Sequence, residues 1–234
     1  MLAGILYQRN AKVYIAARSQ SKTDAVITEL KEKHPASTGE LVFLSLQLDD
    51  LSAIKATADA FLARESRLDV LWNNAGVMTP PQGSTSAQGH ELQIGVNNLG
   101  HFLLTNLLRP ALEKAAKETA SKGSVRVVWV SSSAADFAPK PAIDFENMDY
   151  KLRDEGIWQK YGRSKAGNQL HASEFARRTA GTGIISLVSF SLALSLPSVR
   201  VCVCMWCLSA PSTALSQLTI PHYQTNRPST PETS

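Results

Sequence analysis

Tyr161 and Lys165 stand four residues apart in the stretch Tyr-Gly-Arg-Ser-Lys. On a helix that spacing puts both side chains on one face. A free phenol titrates near pH ~10 and is a poor base at neutral pH. An ammonium beside it favours the phenolate and lowers that pKa. Such a pair could give and take a proton near physiological pH, as general acid–base catalysis requires. Many helices carry this spacing by chance, so the surrounding residues decide its weight.

Ser132 sits in Ser131-Ser132-Ser133, directly after the apolar run Val-Arg-Val-Val-Trp-Val of residues 125–130. The carboxyl end of a buried strand is where α/β sheets place their ligands. A serine triplet there could equally be a turn or a helix cap. Asn73-Asn74-Ala75-Gly76 follows the apolar run 68–72 in the same way. Asn and Gly both tolerate positive φ, so an ordinary turn would use them too. Asn97 falls inside a helical pattern. Asparagine is a mediocre helix former, and a buried one needs partners.

The elements that must position these residues can be read from apolar periodicity. Strands are expected over 12–17, 41–46, 68–72 and 125–130, with a fifth starting at 184. Helices are expected over 21–33, 51–63, 89–118 and 161–178. The long 89–118 helix carries the stripe Leu92, Val96, Leu99, Leu103 and Leu107, with Pro110 placed to kink it. A polar excursion covers 134–158. Strands alternating with helices at this spacing imply an α/β fold, a doubly wound parallel sheet with helices on both faces.

The 234 residues, 44% of them hydrophobic, suffice for one domain with a sizeable core. The net charge of +4 is spread among interleaved acids and bases. A nucleic-acid reader would show a basic stripe or a known motif, so that partner is not expected. Residues 2–6 are too short an apolar run for a signal peptide. Cys202, Cys204 and Cys207 lie together, whereas a disulfide framework would be distributed. A reducing, cytoplasmic setting follows.

Four motifs in register carry a resemblance. Asn-Asn-Ala-Gly, then Val-Asn-Asn-Leu-Gly-His-Phe at 96–102, then Val-Ser-Ser, then Tyr-x-x-x-Lys resemble the short-chain dehydrogenase/reductase family. The wording Gly-His-Phe-Leu-Leu-Thr-Asn-Leu-Leu and the long gap from Ser132 to Tyr161 are similar to its retinol-dehydrogenase-like branch. The resemblance covers about residues 5–187. It implies a Rossmann-like domain and an oxidoreductase interconverting an alcohol and a ketone or aldehyde. By resemblance, Tyr161 exchanges the proton at the substrate oxygen. Lys165 lowers its pKa and binds the nicotinamide ribose. Ser132 orients the carbonyl, Ser133 being the lesser candidate. Asn97 holds a local helix distortion and a water in the proton relay. Asn73, Ala75 and Gly76 approach the cofactor through their backbone.

Arg18 follows the strand at 12–17, where the family chooses its cofactor, and no acid lies in Ala16-Ala17-Arg18-Ser19. An arginine there suits a 2′-phosphate and implies NADP (NADPH) rather than NAD. Gln47 takes the place of the family's adenine-contacting Asp, and its amide can still hydrogen-bond the base. The implied partner is a small alcohol or carbonyl compound, with a homo-oligomer possible through the Leu92–Leu107 stripe.

Two departures stand out. The family's first strand and glycine-rich phosphate turn, Thr-Gly-x-x-x-Gly-Ile-Gly, have no match, and Gly4 is no substitute. The missing strand would lie between the 12–17 and 68–72 strands, leaving both without a ladder partner. After Leu187 the Pro-Gly turn and the substrate-covering region also have no match. Residues 187–234 carry only Arg200, Arg227 and Glu232 as charges. The domain is therefore drawn at 1–187, with 188–234 a Ser/Leu/Pro/Cys tail outside the fold. Val188-Ser189 is what a GTGAGT splice donor encodes, which points to translated intron sequence. A membrane anchor over 184–199 is not expected, being short of the roughly 20 residues needed and interrupted by serines and Pro197. No metal site is expected from Cys202, Cys204 and Cys207, since three ligands lack a fourth. The rival to an active enzyme is a catalytically inactive truncated fragment of one.

Overall fold

The computed structural model describes residues 2–121, 123–190 and 204–208, with Phe190 and 204–208 described through their backbone. Helix α1 (Leu2–Gln8) leads into strand β1 (Lys12–Ala17). Then follow α2 (Gln20–Lys33), β2 (Glu40–Ser45), α3 (Leu51–Leu62) and β3 (Val70–Asn73). Helix α2 is capped by Ser19, whose hydroxyl accepts from Lys22 N, and α3 by Asp50, which accepts from Ser52 N at 3.0 Å. Each such cap contributes about 1 kcal/mol.

The strands are apolar along their length because both faces of the sheet are covered. Successive side chains on a strand point to opposite sides. In β1, Val13 and Ile15 pack with Ala3, Leu6 and Tyr7 of α1 and with Leu30 of α2. Tyr14 and Ala16 turn the other way, towards Ile54, Ala58 and Phe61 of α3. The alternation repeats in β3, where Val70 and Trp72 share the first cluster and Leu71 the second.

The expected 89–118 helix is divided. Gly89 takes φ +80 and Glu91 accepts from Ile94 N at 2.9 Å, so α4 (Leu92–Ile94) starts later than its apolar pattern implies. A π-helical segment (Gly95–Gly100) follows, then α5 (His101–Glu118), which continues through Pro110. Strand β4 (Arg126–Ser131) ends in a 3-10 turn (Ser133–Phe137). Helix α6 (Ile157–Arg178) begins four residues before Tyr161, because Gly156 is extended and donates its N–H to Gln159 Oε1 at 3.0 Å.

The sheet order is β2-β1-β6-β3-β4-β5. The pairs β1/β2, β3/β4 and β4/β5 are parallel. Two features correct the expectation that the fold stops at Leu187. Strand β5 (Ile185–Phe190) continues its ladder with β4 out to Ser131. Strand β6 (Cys204–Leu208) lies between β1 and β3, antiparallel to both. The slot expected to be vacant is therefore filled from the tail. The physical reason is backbone satisfaction: β1 and β3 are buried, and each unmade buried hydrogen bond costs about 1–3 kcal/mol. An antiparallel strand meets that demand as well as a parallel one. Residues 191–203 and 209–234 lie outside the described residues, and with them most of the tail, Cys202 and part of the anchor reading. Among the described residues no helix is long and apolar enough to cross a membrane.

The buried His101 and the half-buried His171 give the fold an acid sensitivity. His101 Nε2 lies 2.6 Å from the Ala75 carbonyl. His171 is stacked between Trp129 and Phe102, with centroids at 5.3 and 5.4 Å. Burial lowers each imidazole from 6.5 to about 4. The unfolded chain thus binds more protons between those values, and stability is lost as pH falls through that window. For His101 alone, moving from pH 7 to pH 5 should cost about 2 kcal/mol. Urea unfolding at the two pH values measures this, and His171→Phe, which keeps the stack, should weaken the dependence. Equal stability at both values would contradict it.

Candidate active site

Ser131 and Ser132 leave the carboxyl end of β4. Ser131 Oγ donates to the Lys165 carbonyl at 2.7 Å, tying the strand end to α6. Ser132 caps the 3-10 turn, accepting from Ala134 N at 3.2 Å. That turn packs closely on α6 because residue 162 is glycine: a Cβ there would come within 2.7 Å of the Ala134 carbonyl oxygen. The close approach brings the Ser132 hydroxyl beside the Tyr161 phenol, where it favours the phenolate. Lys165, one turn further along α6, places Nζ 5.7 Å from the Tyr161 ring centroid.

The electrostatics differ from expectation. Burial raises the Tyr161 pKa, and the neighbouring Ser132 hydroxyl opposes this only in part. Lys165 Nζ donates instead to the Val130 carbonyl at 3.1 Å. Burial thus favours the protonated phenol, where the four-residue spacing implied a lowered pKa.

Asn97 lies in the π-helical segment, which supplies the distortion expected there. Its Oδ1 accepts from Val77 N at 2.8 Å, and its Nδ2 donates to Val77 O and to Ser164 Oγ, each at 2.9 Å. The side chain is spent on fixing the segment after β3. Gly76 is required by this packing: a Cβ would stand 2.9 Å from Asn97 Oδ1 and 3.5 Å from Lys165 Nζ. Asn73 donates to Thr105 Oγ1 at 2.9 Å and leaves its buried Oδ1 without a hydrogen-bond partner. The Ala75 carbonyl is the one that meets His101.

Arg18 and Gln47 are not brought to this cluster. They stand past the ends of β1 and β2, both exposed, on the far side of β6. Arg18 is paired with Asp49 at 3.5 Å. An exposed pair of this kind contributes about 0–1 kcal/mol, so the guanidinium is readily released to another anion.

Several residues escaped notice in the sequence. Ser164 bridges Asn97 to the Tyr161 carbonyl, to which it donates at 2.8 Å. Asn98 donates to the Ser164 carbonyl at 2.8 Å. Asn168 donates at 2.9 Å to the same Val130 carbonyl as Lys165. Its spacing of three from Lys165 places it on the Tyr161 face, a signal that was available. Arg163 forms a buried two-pronged pair with Glu155, at 2.6 and 2.8 Å, and bonds the Pro141 carbonyl. It pins the 134–158 excursion to α6, and nothing in its local spacing announces that.

Comparison with known proteins decides the family. Residues 1–143 match the family model described as short chain dehydrogenase. The chain belongs to the short-chain dehydrogenase/reductase family. It is 58% identical over 189 residues to the short-chain dehydrogenase/reductase pkfC of Emericella nidulans, covering 80% of this chain and 60% of that protein. A crystal structure of an uncharacterized protein from Mycobacterium paratuberculosis is 34% identical, with a TM-score of 0.60 over 76% of this chain and 57% of that one. A metagenomic short-chain oxidoreductase in complex with NADP is 25% identical, with a TM-score of 0.54 over 80% and 74%. The chain thus spans about three fifths of the length of the Emericella relative. Its sheet is the Rossmann-type α/β sheet of the family, entered by one antiparallel strand.

Proposed function

We propose that the chain is the core of an NADP-dependent oxidoreductase that interconverts a small alcohol and its ketone or aldehyde, with Tyr161 exchanging the proton. The carrying observation is the convergence of Ser132, Tyr161 and Lys165 at the ends of β4 and α6, with Asn97 behind Gly76. When bound, the cofactor supplies or accepts the hydride. The chain's own residues manage position and proton. The Ser132 and Tyr161 hydroxyls stand beside one another and would hold a substrate oxygen by two hydrogen bonds. Tyr161, kept protonated by burial, is poised to donate in the direction of reduction. Lys165 is anchored on Val130 and can hold a ribose hydroxyl while balancing the phenolate left behind.

What supports a nicotinamide half here is Gly76, whose lack of a side chain lets its backbone lie directly beside Asn97 and Lys165. Asn73, Ala75, Gly76, Asn97, Tyr161 and Lys165 would hold that half. Arg18 and Gln47, exposed at the tips of β1 and β2, would meet the adenosine half. Fluorescence titration tests this. NADPH should bind saturably and more tightly than NADH, and Arg18→Glu should abolish the preference. Equal affinity of the unaltered chain for both cofactors would refute the role of Arg18.

β6 favours a second reading, a catalytically inactive fragment. It runs antiparallel, with Cys204 opposite Ala16, so its N-terminal end lies at the site edge of the sheet. A parallel strand there would deliver a phosphate turn and the positive end of a helix. Absence of any cofactor binding by folded chain would support this second reading.

A further inference from the structure

We propose that Trp158 is the recognition surface for the body of the substrate, and that the chain takes ketones and aldehydes whose reacting carbon bears a flat, uncharged aromatic group. The inference rests on the role given to Tyr161. Trp158 lies in the first turn of α6, three residues before Tyr161. The two rings meet edge to face, with centroids 6.3 Å apart and planes at 85°. The indole is 63% exposed, a large apolar surface left open beside the phenol.

Gly162, one turn after Trp158, extends the same pattern. It admits the 3-10 turn so closely that a Cβ would stand 3.5 Å from Ala138 Cα. Phe137, the last residue of that turn, is 81% exposed. Ser132 caps this turn at one end and Phe137 closes it at the other. A substrate held at the Tyr161 hydroxyl has the exposed Trp158 indole within reach. Aromatic surface leaves water favourably, and ring pairs add a preference for flat partners in stacked or edge-to-face contact.

The cations of the first two turns of α6 are engaged elsewhere. Lys160 pairs with Asp154 at 2.7 Å and stands over the Tyr150 ring at 4.7 Å. Arg163 is buried against Glu155. The opening turns of α6 therefore offer ring surface to a neutral compound, and not a counter-charge to a carboxylate or phosphate.

The test uses the full chain with NADPH on 2-acetonaphthone and on 2-butanone, which is too small to reach Trp158. Trp158→Ala should raise KM for 2-acetonaphthone about tenfold, with kcat little changed. It should leave 2-butanone nearly unaffected, and Trp158→Phe should retain most of the aromatic preference. Equal effects on both ketones, or none on either, would overturn the proposal. If neither ketone is turned over, saturation-transfer NMR without cofactor separates the two ideas. Saturable 2-acetonaphthone binding that Trp158→Ala weakens would sustain the recognition surface while the role of Tyr161 fails. No saturable binding would overturn the recognition surface itself.

Discussion

Tyr161→Phe should lower kcat about 10²- to 10⁴-fold, the usual contribution of a positioned general acid or base. The substitution removes one hydroxyl and leaves the ring, with its edge-to-face contact to Trp158 and its place beside Lys165. Circular dichroism should be unchanged, and KM should move little, because the substrate contact proposed at Trp158 is kept. The loss would be large because, in the proposed chemistry, the hydroxyl beside Ser132 carries the proton for the substrate oxygen. Lys165 is a poor replacement, being bonded to the Val130 carbonyl. Wild-type turnover in a folded Tyr161→Phe chain would remove Tyr161 from the chemistry.

Disrupting β6 should have the second large effect, on folding rather than on chemistry. Met205 pairs with Ile15 on one side and Trp72 on the other. Met205→Pro removes a ladder donor from the middle of a central strand, where proline is not tolerated. Truncation after Phe190 removes the strand outright. Both changes strand backbone groups next to side chains that are almost fully buried, among them Val13, Tyr14 and Leu71. At about 1–3 kcal/mol for each unmet group, a few such losses rival the roughly 5–15 kcal/mol that holds a domain together. The open edges are also templates for association with other chains. Loss of a cooperative thermal transition, or a shift to large species in size-exclusion chromatography, is the expected readout. A monomeric truncated chain with an unchanged melting temperature would mean that β6 does not close the sheet.

Local physics explains what was legible beforehand. The run Lys-Val-Tyr-Ile-Ala-Ala became β1 at the expected residues because a short apolar, β-branched stretch buried on both faces has few alternatives. The Asn97, Ser132, Tyr161 and Lys165 set could be proposed from sequence because four short motifs in one order are rare together. The features that escaped depend on partners far along the chain. Cys-Met-Trp-Cys-Leu has no polar alternation to mark a strand, and only the open ladder between β1 and β3 gives it a reason to form one. The start of α6 depends on Gln159 reaching back to Gly156. The direction of the Tyr161 shift depends on how deeply the phenol is buried and on Lys165 bonding a carbonyl of β4, neither of which residue spacing reports.

The most direct test of hydride transfer follows the atom itself. Full-length chain is incubated with NADPH deuterated at the transferring position and with 2-acetonaphthone, and the alcohol product is analysed by mass spectrometry. Hydride transfer at this site predicts an alcohol carrying one deuterium on the carbinol carbon, formed by wild type and lost in Tyr161→Phe. Folded chain that binds NADPH yet forms no labelled alcohol, or forms it equally well without the Tyr161 hydroxyl, would contradict the proposed chemistry.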